Sequence, residues 1–250
     1  MMNRYFYDFH VHSCLSPCAD DDMTPNNIAG MAALKGLNLL ALTDHNSCKN
    51  CPAFFVACRR QGIIPIAGME LTTAEDIHLV CLFEDLEQAM AFDREISKHI
   101  LPVKNRADIF GNQLILNEDD EIISEEETLL ISATDLLAQD AIELARSYHA
   151  HVHPAHIDRE SNGIIAILGD IPPEYRFDCY EFNNPSNVEE YMARFPYIKK
   201  ETILVCSDAH QLWTINEAEH SILIDDEPYS SALVRRRLFE HLLRNESPTT

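Results

Sequence analysis

Positive charge is the scarce ingredient of this sequence. Its 250 residues carry 19 Lys and Arg against 41 Asp and Glu, a formal net charge of −22. So acidic a balance argues against gripping a long nucleic-acid backbone by counterion release. It leaves room for a small phosphorylated substrate held by local cations, and bound divalent metals would offset part of the acidity. No run of about 18 apolar residues occurs, so no membrane span is expected. A basic stretch followed by an apolar one is missing from the N-terminus, so no secretory signal is expected either. Internal repeats, low-complexity tracts and Pro/Gly/Ser-rich linkers are also absent. Without a secretory context, the eight cysteines are expected to be reduced thiols in the cytoplasm.

What is present is an alternation of strand and helix signals over a length that suits one large domain, residues 1–250. A strand is expected at 5–11. Thr24-Pro25 then reads as a helix N-cap with proline at the first position, closed by Gly36. "LNLLALTDH" reads as a second strand, and "CPAFFVACRRQG" as a second helix ending before Gly62. "IIPIAGMEL" is the third strand. The link "LTTAED" to the next apolar run, 77–83, is too short for a parallel crossover, so a hairpin should return His78 beside Glu70. Residues 84–131 read as an insertion, a helix near 86–99 followed by a polar hairpin. "SATD" reads as a capping box for a helix near 134–149. Later strands are expected at 151–156, 177–182, 202–207 and 221–224, with a last helix near 230–244. Repeated strand–helix units suggest an α/β barrel.

The chemistry sits at the ends of these strands. "FYDFHVHS" places Asp8, His10 and His12 at strand spacing, opposite Tyr7, Phe9 and Val11. Strand two ends in Asp44-His45, strand three in Glu70, and the hairpin partner begins at His78. The strand near 151 carries His151, His153 and His156, and "SDAH" supplies Asp208 and His210. In an α/β barrel the carboxyl ends of the strands converge on one site. Some nine imidazoles and carboxylates would meet there, costly to bury unless divalent cations coordinate them. The donor mixture suits zinc, iron or manganese.

With these motifs the chain resembles the polymerase-and-histidinol-phosphatase (PHP) family of metal-dependent phosphoesterases. The matching stretches are His10-x-His12, Thr43-Asp44-His45, Gly68-Met69-Glu70, Ile77-His78-Leu79, Ala155-His156 and Ser207-Asp208-Ala209-His210. The resemblance implies a distorted seven-stranded barrel with two to three divalent ions. It assigns His10, His12, Glu70 and Asp208 to one metal, and Glu70, His78 and His156 to a second. A third would take His45, His210 and an acid from the loop after strand one, Asp20 with Asp21 and Asp22 as competitors. The implied reaction is hydrolysis of a small phosphomonoester by a metal-bridged hydroxide, with Asp208 and Glu70 in the catalytic group. Arg159 is the candidate to bind a phosphate oxygen. The alternatives are a phosphodiesterase or exonuclease acting on short nucleotides, and a non-catalytic metal-binding regulatory module.

Two ambiguities stay open in the sequence. His156 is favoured over His153 as ligand because it lies further along its strand, with His151 at the strand start. Cys14, Cys18, Cys48 and Cys51 lie in two loops expected at the same barrel end; reduced, partly buried thiols are favoured over a structural zinc.

Overall fold

The computed structural model describes residues 2–243. β1 (Met2–Asp8) opens the chain and is followed by α1 (Pro25–Leu34) and β2 (Leu39–Leu42). The Thr24 side chain accepts the Asn27 amide, so the expected N-cap is formed, with Pro25 in the first turn. Next come α2 (Cys51–Arg60), β3 (Ile64–Thr72) and β4 (His78–Phe83). Gly36 and Gly62, both at positive φ, end α1 and α2 as left-handed residues. β3 and β4 form the expected hairpin, with Thr72 opposite His78 and Glu70 opposite Val80.

Residues 84–131 hold α3 (Leu86–Ile96), the single turn α4 (Ala107–Phe110) and the hairpin β5 (Leu114–Leu116) and β6 (Ile122–Glu125). α5 (Ala138–Ser147) and β7 (His151–Pro154) follow. The "SATD" capping box does not form. Thr134 is buried and its hydroxyl donates to the Thr72 carbonyl, and α5 begins four residues later. Glu75, from the β3–β4 turn, instead accepts the Ala138 amide at 3.0 Å, a cap supplied by tertiary contact. α6 (Ile164–Leu168), β8 (Tyr180–Phe182), α7 (Val188–Arg194), β9 (Ile203–Val205), β10 (Ser221–Asp225) and α8 (Ser231–Leu242) complete the described chain. The expected end of the last helix, at 244, lies outside the described residues.

Six strands form one curled sheet in the order β10-β1-β2-β3-β4-β7, with β1, β2 and β3 parallel and the other neighbours antiparallel. β8 and β9 make a separate parallel pair. A seven-stranded barrel closed by continuous ladders is therefore not what the hydrogen bonding shows. The pair is tied to the sheet by single links: the Val11–Ala209 bridge, and the Ile157 amide on the Glu181 carbonyl at 2.9 Å.

Alternation along the strands sorts the core into two layers. Leu40, Leu42, Ala67, Met69, Cys81 and Phe83 pack outward against α1, α2, α3 and α5. Leu39, Ala41, Ile64, Ile66, Val80 and Leu82 pack inward with Tyr7, Phe9 and Leu204, and Val234, Leu238 and Phe239 of α8 join them. Gly68 is required by this packing, since a Cβ there would lie 2.8 Å from Thr43 Cγ2 and 3.1 Å from the Cys81 carbonyl.

A candidate multinuclear metal site

β1 stops at Asp8, two residues short of His10, so the expected shared face of Asp8, His10 and His12 is not formed. The Asp8 carboxylate accepts the amides of Ser207 (3.1 Å) and Asn216 (3.0 Å) and secures the loop after β9. Val11 parts from Tyr7 and Phe9 and joins the outer layer. His10 and His12 lie beyond the ladder, where the His12 amide donates to the Ala209 carbonyl at 2.9 Å. This link brings the β1 histidines to Asp208 and His210. On the other side, a parallel bridge pairs His45 with Glu70.

Glu70, 1 % exposed, is the centre of the group. Its Oε1 lies 2.8 Å from His78 Nδ1, 3.1 Å from His156 Nε2 and 3.4 Å from His10 Nε2. Its Oε2 lies 3.0 Å from His45 Nδ1 and 3.2 Å from His12 Nε2. Asp208 Oδ1 lies 3.1 Å from His12 Nε2, 3.4 Å from His10 Nε2 and 3.6 Å from His210 Nδ1. Among the described residues the donor atoms fall into three overlapping sets, each within 4.8 Å: His10, His12, Glu70 and Asp208; His45, Glu70 and His78; His12, His45 and His210. A cavity of about 290 Å³ opens onto them, with Arg159 and Asn162 also in its wall. The half-exposed Arg159 guanidinium pairs with Asp208 Oδ2.

Divalent cations fit this donor set. Glu70 Oε2, Asp208 Oδ1 and His45 Nδ1 are buried without a hydrogen-bond partner, although each lies close to other donor atoms. Groups aimed at a common point rather than at one another are what shared coordination requires. The electrostatics agree. Burial by itself would raise Glu70, yet the imidazoles of His78, His10 and His45 hold it well below the usual carboxylate range. Burial opposes charge on His12 and His45, but the neighbouring carboxylates raise both to about 9. Burial and the His12 charge push His210 down to about 3. Without cations, protons serve as the counter-charge of the buried carboxylates.

Other candidates lie elsewhere. Asp20 contributes no atom to the three sets; its amide donates to the His210 carbonyl at 3.0 Å. Asp21 is exposed and accepts Asn112 Nδ2, and Asp22 is exposed. Asp44 works behind the group: it accepts Ser16 Oγ at 2.8 Å, and Ser16 Oγ lies 2.9 Å from His12 Nδ1. That arrangement turns His12 Nε2 towards Glu70 and Asp208. His151 and His153 face the inner layer, one row below, while His156 follows a backbone turn at φ 25°. Asp208 likewise stands at φ 52°, so Asp208, a member of a donor set, and His156, 3.1 Å from Glu70 but in none of the three sets, both occupy left-handed turns past their strands. No cysteine joins a donor set among the described residues. Cys48 and Cys51 lie against the Gly68 carbonyl at 3.2 and 3.8 Å, Cys14 is buried beside Leu114 and Leu116, and Cys18 is exposed.

Glu181 escaped the sequence reading. It is fully buried on β8 and lies 2.8 Å from His10 Nδ1 through Oε1. Its one sequence signal is an acid in the middle of an apolar strand, "CYEF".

Comparison with known proteins places this geometry in context. The sequence is 39% identical over 77 residues to an error-prone DNA polymerase of Symbiobacterium thermophilum, covering 31% of this chain and 7% of the polymerase. It is 34% identical over 79 residues to a 5'-3' exoribonuclease of Haemophilus influenzae, covering 30% of this chain and 28% of that protein. The chain thus matches only a minor part of either relative's length. The lesion-specific endonuclease Q of Pyrococcus furiosus shares the fold at a TM-score of 0.66 and 17% identity, over 98% of this chain and 57% of that one. Endonuclease Q in complex with a 27-mer duplex carrying an abasic lesion at the active site superimposes at a TM-score of 0.63 and 17% identity, over 98% of this chain and 58% of that one. This finding overturns the exclusion of a long nucleic-acid partner. Net charge is a property of the whole surface, whereas a duplex meets only one face of it. The sequence matches the PHP domain over residues 8–172, well over half of its length, and so the chain belongs to the PHP domain family.

Proposed function

We propose that the chain is a metal-dependent phosphoester hydrolase that acts on a small phosphomonoester. The observation that carries the reading is the convergence of five imidazoles on Glu70, with Asp208 closing the group and Arg159 at the mouth of the cavity. His10, His12, Glu70 and Asp208 would hold one ion, Glu70, His78 and His156 a second, and His45 with His12 and His210 a third. Divalent zinc, manganese or iron there would supply a nucleophile at neutral pH and neutralise charge on the phosphoryl oxygens. Glu70 and Asp208 set the spacing of the group from opposite sides. Arg159 would leave Asp208 to take a phosphate oxygen, a match of planar donors to an oxyanion. A cavity of about 290 Å³ lies at the small end of ligand sites, which suits a phosphate group with a compact leaving group.

A second reading is favoured by one finding, the sequence match to an exoribonuclease: the terminal residue of a nucleic acid would occupy the same cavity. A panel of aryl phosphates, sugar phosphates, nucleotides and 5′-labelled oligonucleotides, with Mn²⁺ or Zn²⁺ added, separates the two. Faster turnover of monoesters, abolished by chelation, supports the first. Preference for oligonucleotides supports the second, and chelator-resistant turnover sinks both. Arg159→Ala should raise KM roughly tenfold, about 1.4 kcal/mol of lost binding, with metal content unchanged.

A further inference from the structure

One carboxylate beneath the donor group touches both sides of it. Glu181 is completely buried, and its Oε1 has two partners: His10 Nδ1 at 2.8 Å and the backbone N–H of His156 at 3.0 Å. Its Oε2 faces His153 Nε2 at 3.4 Å. The first partner extends from β1, and the second belongs to the left-handed turn after β7. β1 and β7 are not neighbours in the sheet, since β2, β3 and β4 separate them. No ladder therefore joins the two segments directly, and Glu181 on β8 links them from below, as Glu70 Oε1 does at their Nε2 atoms.

The contact also decides a proton. Oε1 accepts the amide N–H of His156, so the oxygen facing His10 is acting as an acceptor. A bare Nδ1 at 2.8 Å would set lone pair against lone pair; a protonated Nδ1 donates. With the proton there, Nε2 carries the free lone pair, and Nε2 is the atom that faces Glu70 and Asp208, each at 3.4 Å. We propose that Glu181 is a positioning residue: it fixes the Nδ1–H tautomer of His10 and holds the His156 turn, so that imidazoles from two non-adjacent strands stand at the same carboxylate oxygen, Glu70 Oε1. This inference rests on the metal-site reading above but not on any particular reaction. A carboxylate behind a ligating imidazole typically contributes about 10- to 100-fold in metal affinity.

The test reads protons and metal rather than turnover. In the zinc-loaded wild type, long-range ¹H–¹⁵N correlation of the imidazoles should show His10 protonated at Nδ1 and not at Nε2, with the assignment made by loss of its signals in His10→Gln. Chelator competition with Mn²⁺ and with Zn²⁺ should give an affinity about 10- to 100-fold weaker in Glu181→Ala. Glu181→Gln, which keeps an acceptor oxygen but loses the charge, should fall between Ala and wild type. A proton on His10 Nε2 in the zinc-loaded protein, or unchanged metal affinity in either folded variant, overturns the proposal. If neither variant folds, the wild-type tautomer decides alone. Failure of every phosphoester to turn over, with these results intact, would sink the hydrolase reading and leave this one standing.

Discussion

The two halves of the site are built differently. In the β1–β4 half, continuous ladders run up to the donors: β2 and β3 run parallel, β3 and β4 antiparallel, Glu70 lies within β3 and His78 opens β4, while His10, His12 and His45 follow just past the ends of β1 and β2. In the β7–β9 half the strands are three or four residues long, and the donors stand past their ends in left-handed turns, His156 at φ 25° and Asp208 at φ 52°. Ladder pairing fixes Glu70 and His78 of the first half. Single polar contacts fix the second: Glu181 on the His156 amide, Asp8 on the Ser207 amide, and one bridge from Val11 to Ala209. A regular ladder spreads positional error over many bonds, whereas a turn held by one or two buried bonds concentrates it. The second half should therefore be the more sensitive to conservative change.

The largest effect tests both halves at their carboxylates. Glu70→Gln and Asp208→Asn should each lose bound metal and reduce turnover by more than about 100-fold, beyond what outer contacts contribute. Both should remain folded, Asp208→Asn because asparagine tolerates left-handed backbone. Asp208→Val should lose thermal stability as well, since a β-branched residue at φ 52° is strained. Equal melting temperatures for the Asn and Val variants would break the claim that this turn is held under backbone constraint. Metal content and melting curves are the measurements.

The middle effect lies within one strand. His156→Ala should lose metal and most turnover, because His156 Nε2 is 3.1 Å from Glu70. His153→Ala should mainly cost stability, since the ring sits below the donor group against Glu181 and beside His151. The reverse ranking would move the donor role one row down the strand.

The smallest effect concerns pH. In the metal-free protein His12 and His45 are raised to about 9 from the ordinary imidazole value. Their stabilising contribution is complete below about pH 6.5 and is lost as pH rises towards 9. The melting temperature of the metal-free protein should therefore fall across that window. The loaded protein should not show this loss, because cations replace the protons. Parallel pH profiles for the two forms would mean that these imidazoles are not where the metals bind.

Much of the first half could be read from residues alone. The hairpin is legible because the "LTTAED" link is too short for a parallel crossover. The Thr24-Pro25 helix start was legible because capping is a local interaction. The capping box at "SATD" fails for the complementary reason: the N–H groups it would cap are bonded to distant carbonyls, Thr134 to Thr72 and Asp135 to His99, each at 2.9 Å. Asp8 was misread with His10 and His12 because period-2 alternation holds only while a strand is paired, and β1 ends at Asp8.

The sequence by itself determined which chemistry is available and, from the strand-end positions of His45, Glu70 and His78, that part of it would meet at one end of the sheet. That follows from periodicity and chain reach, which act over a few residues. Only the tertiary structure decided that Asp44 reaches His12 through Ser16, that His151 and His153 turn inward, and that Glu181 stands behind His10. Such contacts join residues up to 171 positions apart, as His10 and Glu181 are. They arise because a buried polar group must find a partner among whatever the folded backbone brings within about 3 Å of it.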